Sequence, residues 1–180
     1  MEPVENVKHR ARLLQQRAQA SNPEALAVLR TLPELHALSD EALLETLQRR
    51  HCLAALAKAL GFGSWPHAKS VLSGEALLRP NEQAHAAPDL GTLMHRELGG
   101  AYWNIWSASY AEARDIRAEH GGYLLPYRKQ FLIVEAHYLE ALGLDAGDPD
   151  WERIGRDWAA PADLTAWARL TSRAVDARLS

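Results

Sequence analysis

The side chains best suited to move protons or hold a metal near neutral pH are eight histidines, at positions 9, 36, 51, 67, 85, 95, 120 and 137. No two of them form HExxH, and the lone cysteine, Cys52, leaves no Cys/His cluster. Spacing therefore excludes a zincin or zinc-finger site, and no resident metal is expected. His95, His120, Glu135 and His137 all fall in the second half of the chain. They are the candidate catalytic residues of an acid–base or metal-assisted enzyme, provided that folding gathers them. Local spacing does not gather them. His95 and Glu97 are two apart, as are Glu135 and His137, and on a helix that separation sends side chains to different faces. For each histidine the competing reading is a structural or exposed ring.

Other reactive patterns are weaker. Asp145, Asp148 and Asp150 resemble a calcium loop only in outline, because the 12-residue frame and its terminal bidentate glutamate are absent, so helix capping explains them better. Gly99-Gly100 and Gly121-Gly122 lack the context of a phosphate loop, and no GxSxG elbow exists. Cys52 lies among leucines and alanines and reads as a buried, inert thiol. No motif points to a cofactor.

The densest constellation is aromatic and polar together: Tyr102, Trp103, Asn104, Trp106 and Tyr110, then His120, Tyr127, Arg128 and Gln130. Trp103, Trp106, Tyr110, Tyr127, Arg128 and Gln130 are the candidate ligand-binding residues, with Arg128 as anchor for an anionic group. Trp103 and Trp106 share a face if their stretch is helical. Core packing is the competing reading. Base stacking on single-stranded nucleic acid is a third, supported by only two positive charges in the PYRKQ run.

These residues must be positioned by helices. Val4, Val7, Ala11, Leu14 and Ala18 recur at helical spacing, with Lys8, Arg10, Arg12 and Arg17 off that stripe. Asn22-Pro23, Ser39, Ser64, Ser109 and Asp163 are helix starts, each a capping residue placed before a periodic run. Between Glu41 and Leu60 the apolar stripe changes phase. Either one helix has a wide buried face or two helices meet near Arg49-Arg50, and two are favoured. Gly61 fits a helix end, and the next helix carries Trp65, Ala68, Val71 and Leu72 inward, with Trp65 plugging the joint. The β-formers of YLLPYRKQFLIV, 123 to 134, suggest a short hairpin turning near Arg128-Lys129, although the run also suits the start of the helix through 142. A last amphipathic helix holds Leu164, Trp167, Leu170 and Val175.

The corner GFGSWPHAK, 61 to 69, meets only part of what a helix-turn-helix reader requires. Ala57 and Gly61 meet its demands, but His67 and Ser70 fall where apolar residues are required. Trp65 and Pro66 also occupy the turn that should offer polar side chains to bases. A packed helical corner fits better. With 24% charged residues and a net charge of −3, the chain lacks a global basic excess, which argues against nucleic acid as the partner. No apolar run suits a signal peptide or a membrane span, and a cytoplasmic location is expected.

The stretch HCLAALAKALGFGSWPHAK, 51 to 69, resembles a helical motif of bacterial glyoxalase-related and ankyrin-associated helical domains, through Ala57, Gly61, Phe62, Ser64, Trp65, Ala68 and Lys69. The resemblance implies a helical domain and no chemistry. The C-terminal half resembles a recurrent bacterial domain, through PYRKQF and GLDAGDPDWERIGRDW, to which no activity attaches. The expected fold is mainly α, a multi-helix, bundle-like architecture with one short β-hairpin in the C-terminal half. A helical unit over 1–78 and a linker over 79–88 are expected to precede an aromatic-rich domain over 89–180, where five of six tryptophans and all five tyrosines lie. The leading functional expectation is a binding protein with an aromatic-lined site for a small molecule or a protein partner. A small His/Glu enzyme and nucleic-acid binding through the basic first helix are the alternatives.

Overall fold

A computed structural model describes residues 2–78, 87–96 and 102–180. The first helix, α1 (Pro3–Gln19), buries Val7, Ala11, Leu14 and Ala18, the stripe that its spacing predicts. Asn22 accepts a hydrogen bond from the Ala25 amide at 2.9 Å and starts α2 (Pro23–Leu29), with Pro23 in the first turn where no N–H is needed. Ser39 caps α3 (Asp40–Thr46). Leu47 and Gln48 then take extended conformations before α4 (Arg49–Ala59), so the phase shift marks two helices. Ser64 caps α5 (Trp65–Leu72).

The second half opens with β1 (Asn104–Ser107) and α6 (Tyr110–His120), capped by Ser109. Strands β2 (Tyr123–Tyr127) and β3 (Gln130–Val134) form the expected hairpin around Arg128-Lys129. Helices α7 (Ala136–Ala141), α8 (Asp150–Arg153) and α9 (Leu164–Arg178) complete the chain, and Asp163 caps α9 through the Thr165 and Ala166 amides. Among the described residues the fold is mainly α, with nine helices.

The sheet is larger than a hairpin. β1 pairs antiparallel with β3 to give the order β1-β3-β2, with Trp106 opposite Leu132 and Ile105 opposite Ile133. The Trp103–Trp106 stretch is therefore not helical. Trp106 is a strand residue and Trp103 precedes the strand, and the two are 42% and 45% exposed. The two-residue alternation of the strands divides the sheet into two faces. One carries Phe131 against Tyr110 of α6, with ring centroids 5.5 Å apart. The other carries Trp106 and Tyr127.

One hydrophobic core runs through both halves, from Val7 of α1 to Val175 of α9. Asn6 and Arg10 of α1 both donate to Asp176 Oδ1 of α9, at 2.9 and 2.7 Å. Trp151, Trp158 and Trp167 are buried, and each indole N–H has an acceptor, in Asp145 O, Thr171 Oγ1 and Trp158 O respectively. Leu164 departs from the expected core stripe. It is the first residue of α9 and 62% exposed. Most of the expected linker, 79 to 86, lies outside the described residues.

Candidate functional site

The site is assembled on the corner between α4 and α5. Gly61 has φ +86°, a conformation that a side chain would strain, and a Cβ there would lie 2.0 Å from Thr92 Oγ1. That space is filled because the Thr92 amide donates to Gly61 O at 3.0 Å. Gly91 repeats the device at φ +70°, where a Cβ would meet the Phe62 ring at 2.4 Å. Segment 89–92 thus lies flat on the corner. Its far side holds the β2–β3 turn: Leu90 N donates to Arg128 O at 2.9 Å, and Arg128 N donates to Gly91 O at 2.7 Å. These bonds fix Arg128 at φ +54°, a left-handed conformation costing about 1–2 kcal/mol in a non-glycine residue.

The C-terminal turn of α9 arrives at the same place. Arg178 Nε donates to Ala59 O at 3.3 Å and its Nη1 to His95 O at 3.2 Å, which ties the guanidinium between the end of α4 and the 89–96 segment. Around these groups opens a groove of about 500 Å³, lined by Thr92, His95, Arg96, Tyr127, Arg128 and Arg178. Among the described residues its wall has three guanidiniums and no carboxylate. Among the described residues, none of the three guanidiniums forms an ion pair. Partial burial and the nearby Arg96 charge push the pKa of Arg178 below its ordinary value. Arg128 also sits over the Tyr127 ring, 5.8 Å from its centroid.

The groove's aromatic wall comes from the sheet face that carries Trp106 and Tyr127. His95 makes edge contacts with Tyr127 at 4.7 Å and Trp106 at 5.7 Å, and its Nδ1 is 2.8 Å from Tyr138 Oη. Burial pushes the Tyr138 hydroxyl above its ordinary pKa, so at neutral pH it is a neutral phenol. A second cavity, of about 360 Å³, adjoins the first and shares Thr92 and Arg128 with it. Its lining includes Gly61, Phe62, Gly63, His67 and Asp89.

The candidate residues divide between this groove and other places. Tyr127, Arg128 and His95 line it, and Trp106 packs on its aromatic wall. Trp103 and Gln130 are exposed outside it. Tyr110 is on the opposite face of the sheet, donating to Asp157 Oδ2 at 2.7 Å. Burial of Asp157 raises that carboxyl's pKa, while its other oxygen accepts the Ala159 and Ala160 amides. His120 is exposed beside Glu119.

His137 Nδ1 and Glu135 Oε2 meet at 3.3 Å, contrary to the expected divergence, because Glu135 is the extended residue preceding α7 rather than part of it. Tyr102 stacks on His137 at 5.4 Å and meets Tyr138 edge-on at 5.7 Å, so a file of rings links His137 to His95. Glu97 lies outside the described residues. Among those described, no three His, Cys, Asp or Glu side chains are grouped to hold a metal ion.

Other expected charges are engaged in packing. On α1, Lys8, Arg10 and Arg17 pair with Glu5, Asp176 and Glu24, which neutralises most of the basic face. Asp150 is buried and held by Arg169, with Arg173 and Arg153 nearby, and Asp148 pairs with Arg173. These carboxylates staple α8 to α9. Trp65 is only half-buried, whereas Phe62 is 3% exposed, so Phe62 is the plug of the corner. Among the described residues no helix is long and apolar enough to cross a membrane.

Sequence reasoning missed Thr92, Arg96 and Arg178. Arg96 and Arg178 are separated by 82 positions, and no local pattern links them to Arg128. Fold and site together define an α-rich protein with a small antiparallel sheet and a basic, aromatic-walled groove. No family model, curated protein or solved structure matches the chain.

Proposed function

We propose that the protein binds a small anionic molecule in the Arg96–Arg128–Arg178 groove. The observation that carries this reading is the convergence of three guanidiniums, delivered by three different segments, on a cavity whose described lining has no carboxylate. Like charges held together raise the energy of the unliganded state, and an anion placed among them lowers it. Guanidinium forks also match the planar or tetrahedral oxygens of carboxylates and phosphates. The Tyr127, His95 and Trp106 rings supply a wall for the uncharged part of such a molecule.

Titration calorimetry with inorganic phosphate and with citrate, at low ionic strength, tests the reading. Saturable binding is expected for at least one of them, weakening with salt. Arg96→Gln and Arg128→Gln should each reduce affinity about tenfold or more, the worth of one charge-assisted hydrogen bond. The same variants should unfold at an unchanged or higher temperature, because each removes a charge from a repulsive set. Absence of saturable binding of both anions to the wild-type protein at millimolar concentration refutes the proposal.

A further inference from the structure

We infer that the anion is the phosphate of a phosphomonoester whose organic body carries hydroxyl or amino donors, and that this body lies over the Gly61–Gly63 corner against Asp89. The inference rests on the anion-binding reading above and specifies the ligand of that same groove. Its first support is continuity. The two cavities, of about 500 and 360 Å³, meet at Thr92 and Arg128. Both volumes fall in the range of small-ligand sites, roughly 300–1,000 Å³.

The second support is the opposite polarity of the two ends. One holds three guanidiniums. The other holds Asp89, whose side chain is 45% exposed. Asp89 Oδ1 accepts the Gly91 amide at 2.9 Å, and among the described residues no hydrogen-bond donor reaches Oδ2. His67 Nε2 stands 2.8 Å from Asp89 O and 3.7 Å from Oδ1, which holds the backbone there in place. A ligand spanning both cavities therefore meets an anion site at one end and a carboxylate acceptor at the other. Hydroxyls or an ammonium group satisfy that acceptor, and a second anionic group would be repelled by it.

The third support is the floor between the ends. At Gly63 an added Cβ would meet only His67 Nδ1, at 3.9 Å, so the backbone there is open to close approach by a ring. Phosphate suits the cationic end better than a single carboxylate does. Its three terminal oxygens and double negative charge match three guanidiniums, whereas one carboxylate leaves most of the positive charge uncompensated.

Calorimetry with methyl phosphate and with glucosamine 6-phosphate separates the parts of this inference. The two share the phosphate ester and differ in the body. Wild-type protein should bind both, with glucosamine 6-phosphate at least about tenfold tighter, the value of one added charge-assisted hydrogen bond. Asp89→Asn keeps an oxygen for the Gly91 amide but removes the charge. It should erase most of that tenfold gain without weakening methyl phosphate binding, since it removes a negative charge beside the anion site, and leave the unfolding temperature within a few degrees of wild type. Equal affinity of the wild type for the two ligands overturns the inference while the anion site stands. So does a preference that survives Asp89→Asn. Failure of methyl phosphate, inorganic phosphate and citrate all to bind overturns the anion reading itself, and the inference with it.

Discussion

Replacing Phe62 by alanine tests which aromatic residue holds the α4–α5 corner, and the fold sets the magnitude. Phe62 is 3% exposed, and its ring fills the space beneath Gly91 while meeting His67 edge-on at 5.4 Å. Burial of a phenyl side chain removes about 150 Å² or more from water, which at about 25 cal/mol per Å² is close to 4 kcal/mol. Measured Phe→Ala losses in well-packed cores span about 3–5 kcal/mol, because the cavity left behind closes only partly. Trp65 is larger but half-buried, so Trp65→Ala should cost less, about 1–2.5 kcal/mol. Urea unfolding followed by circular dichroism at the helical band compares the two without relying on tryptophan fluorescence. For a chain of this length, each kcal/mol lowers Tm by about 2–4 °C, so Phe62→Ala should drop Tm by roughly 6–20 °C. A Trp65→Ala loss equal to or above that of Phe62→Ala refutes the assignment of Phe62 as the plug. The site supplies a second readout. Phe62 backs the 89–92 segment, so Phe62→Ala should also weaken phosphate binding, whereas Trp65→Ala should not.

Two further predictions concern buried ionisable groups. The hydrogen bonds from Arg169, aided by the neighbouring arginine charges, hold the Asp150 carboxyl below its ordinary pKa. A depressed folded-state pKa means that this contribution is fully present above the unfolded value, about 3.9, and is lost as pH falls through the folded value. Asp150→Asn should therefore cost about 1.5–3 kcal/mol near pH 7, and the gap to wild type should narrow on acidification below pH ~4. A gap independent of pH in urea titrations would refute the ion-pair account. Burial pushes the Cys52 thiol up to about 11, so almost no thiolate is present at pH ~8. A disulfide reagent such as dithiobis(nitrobenzoate) should leave the folded protein unmodified and react with one thiol per chain on unfolding. Rapid stoichiometric reaction before unfolding would show that the α4 face is open.

The helix starts were legible because each is a local event. Asn22, Ser39, Ser64, Ser109 and Asp163 all accept backbone amides of the turns that follow them. Such bonds depend on residues three or four positions away and little else. The hairpin was legible for the same reason, since a two-residue turn separates two β-forming runs. β1 was not. Asn104–Ser107 has four residues, too few for a periodic signal, and it is a strand only because β3 offers it an edge. The exchange of roles between Trp65 and Phe62 has a similar origin. Size favoured the tryptophan, but the outcome depended on Gly91, 29 positions beyond Phe62, leaving room for a ring there. Of the groove, Tyr127 and Arg128 were found through one aromatic-basic run, and His95 only as a candidate base. Arg96 and Arg178 reach it through tertiary bonds that no spacing encodes.

The groove separates two kinds of interaction that usually coincide. The bonds that close the corner are neutral: Thr92 N to Gly61 O, Leu90 N to Arg128 O and Arg128 N to Gly91 O, with Phe62 packed beneath them. They require no charge on Arg96 or Arg128. Arg178 is the exception, because its guanidinium also binds Ala59 O and His95 O. If the cationic cluster existed for stability, neutralising Arg96 or Arg128 would weaken the fold. The geometry gives the opposite expectation, since neither forms an ion pair among the described residues and Arg96 opposes the charge of Arg178. Two like charges, Arg96 and Arg128, kept where the fold gains little beyond the contact of Arg128 over the Tyr127 ring, are the trade expected of a binding site, where stability is given up for a ligand's charge. The thermal behaviour of Arg96→Gln and Arg128→Gln therefore bears on function as directly as their anion affinities do. A clear drop in Tm for both would place the cluster among the fold's own supports and remove the physical reason for assigning it a ligand.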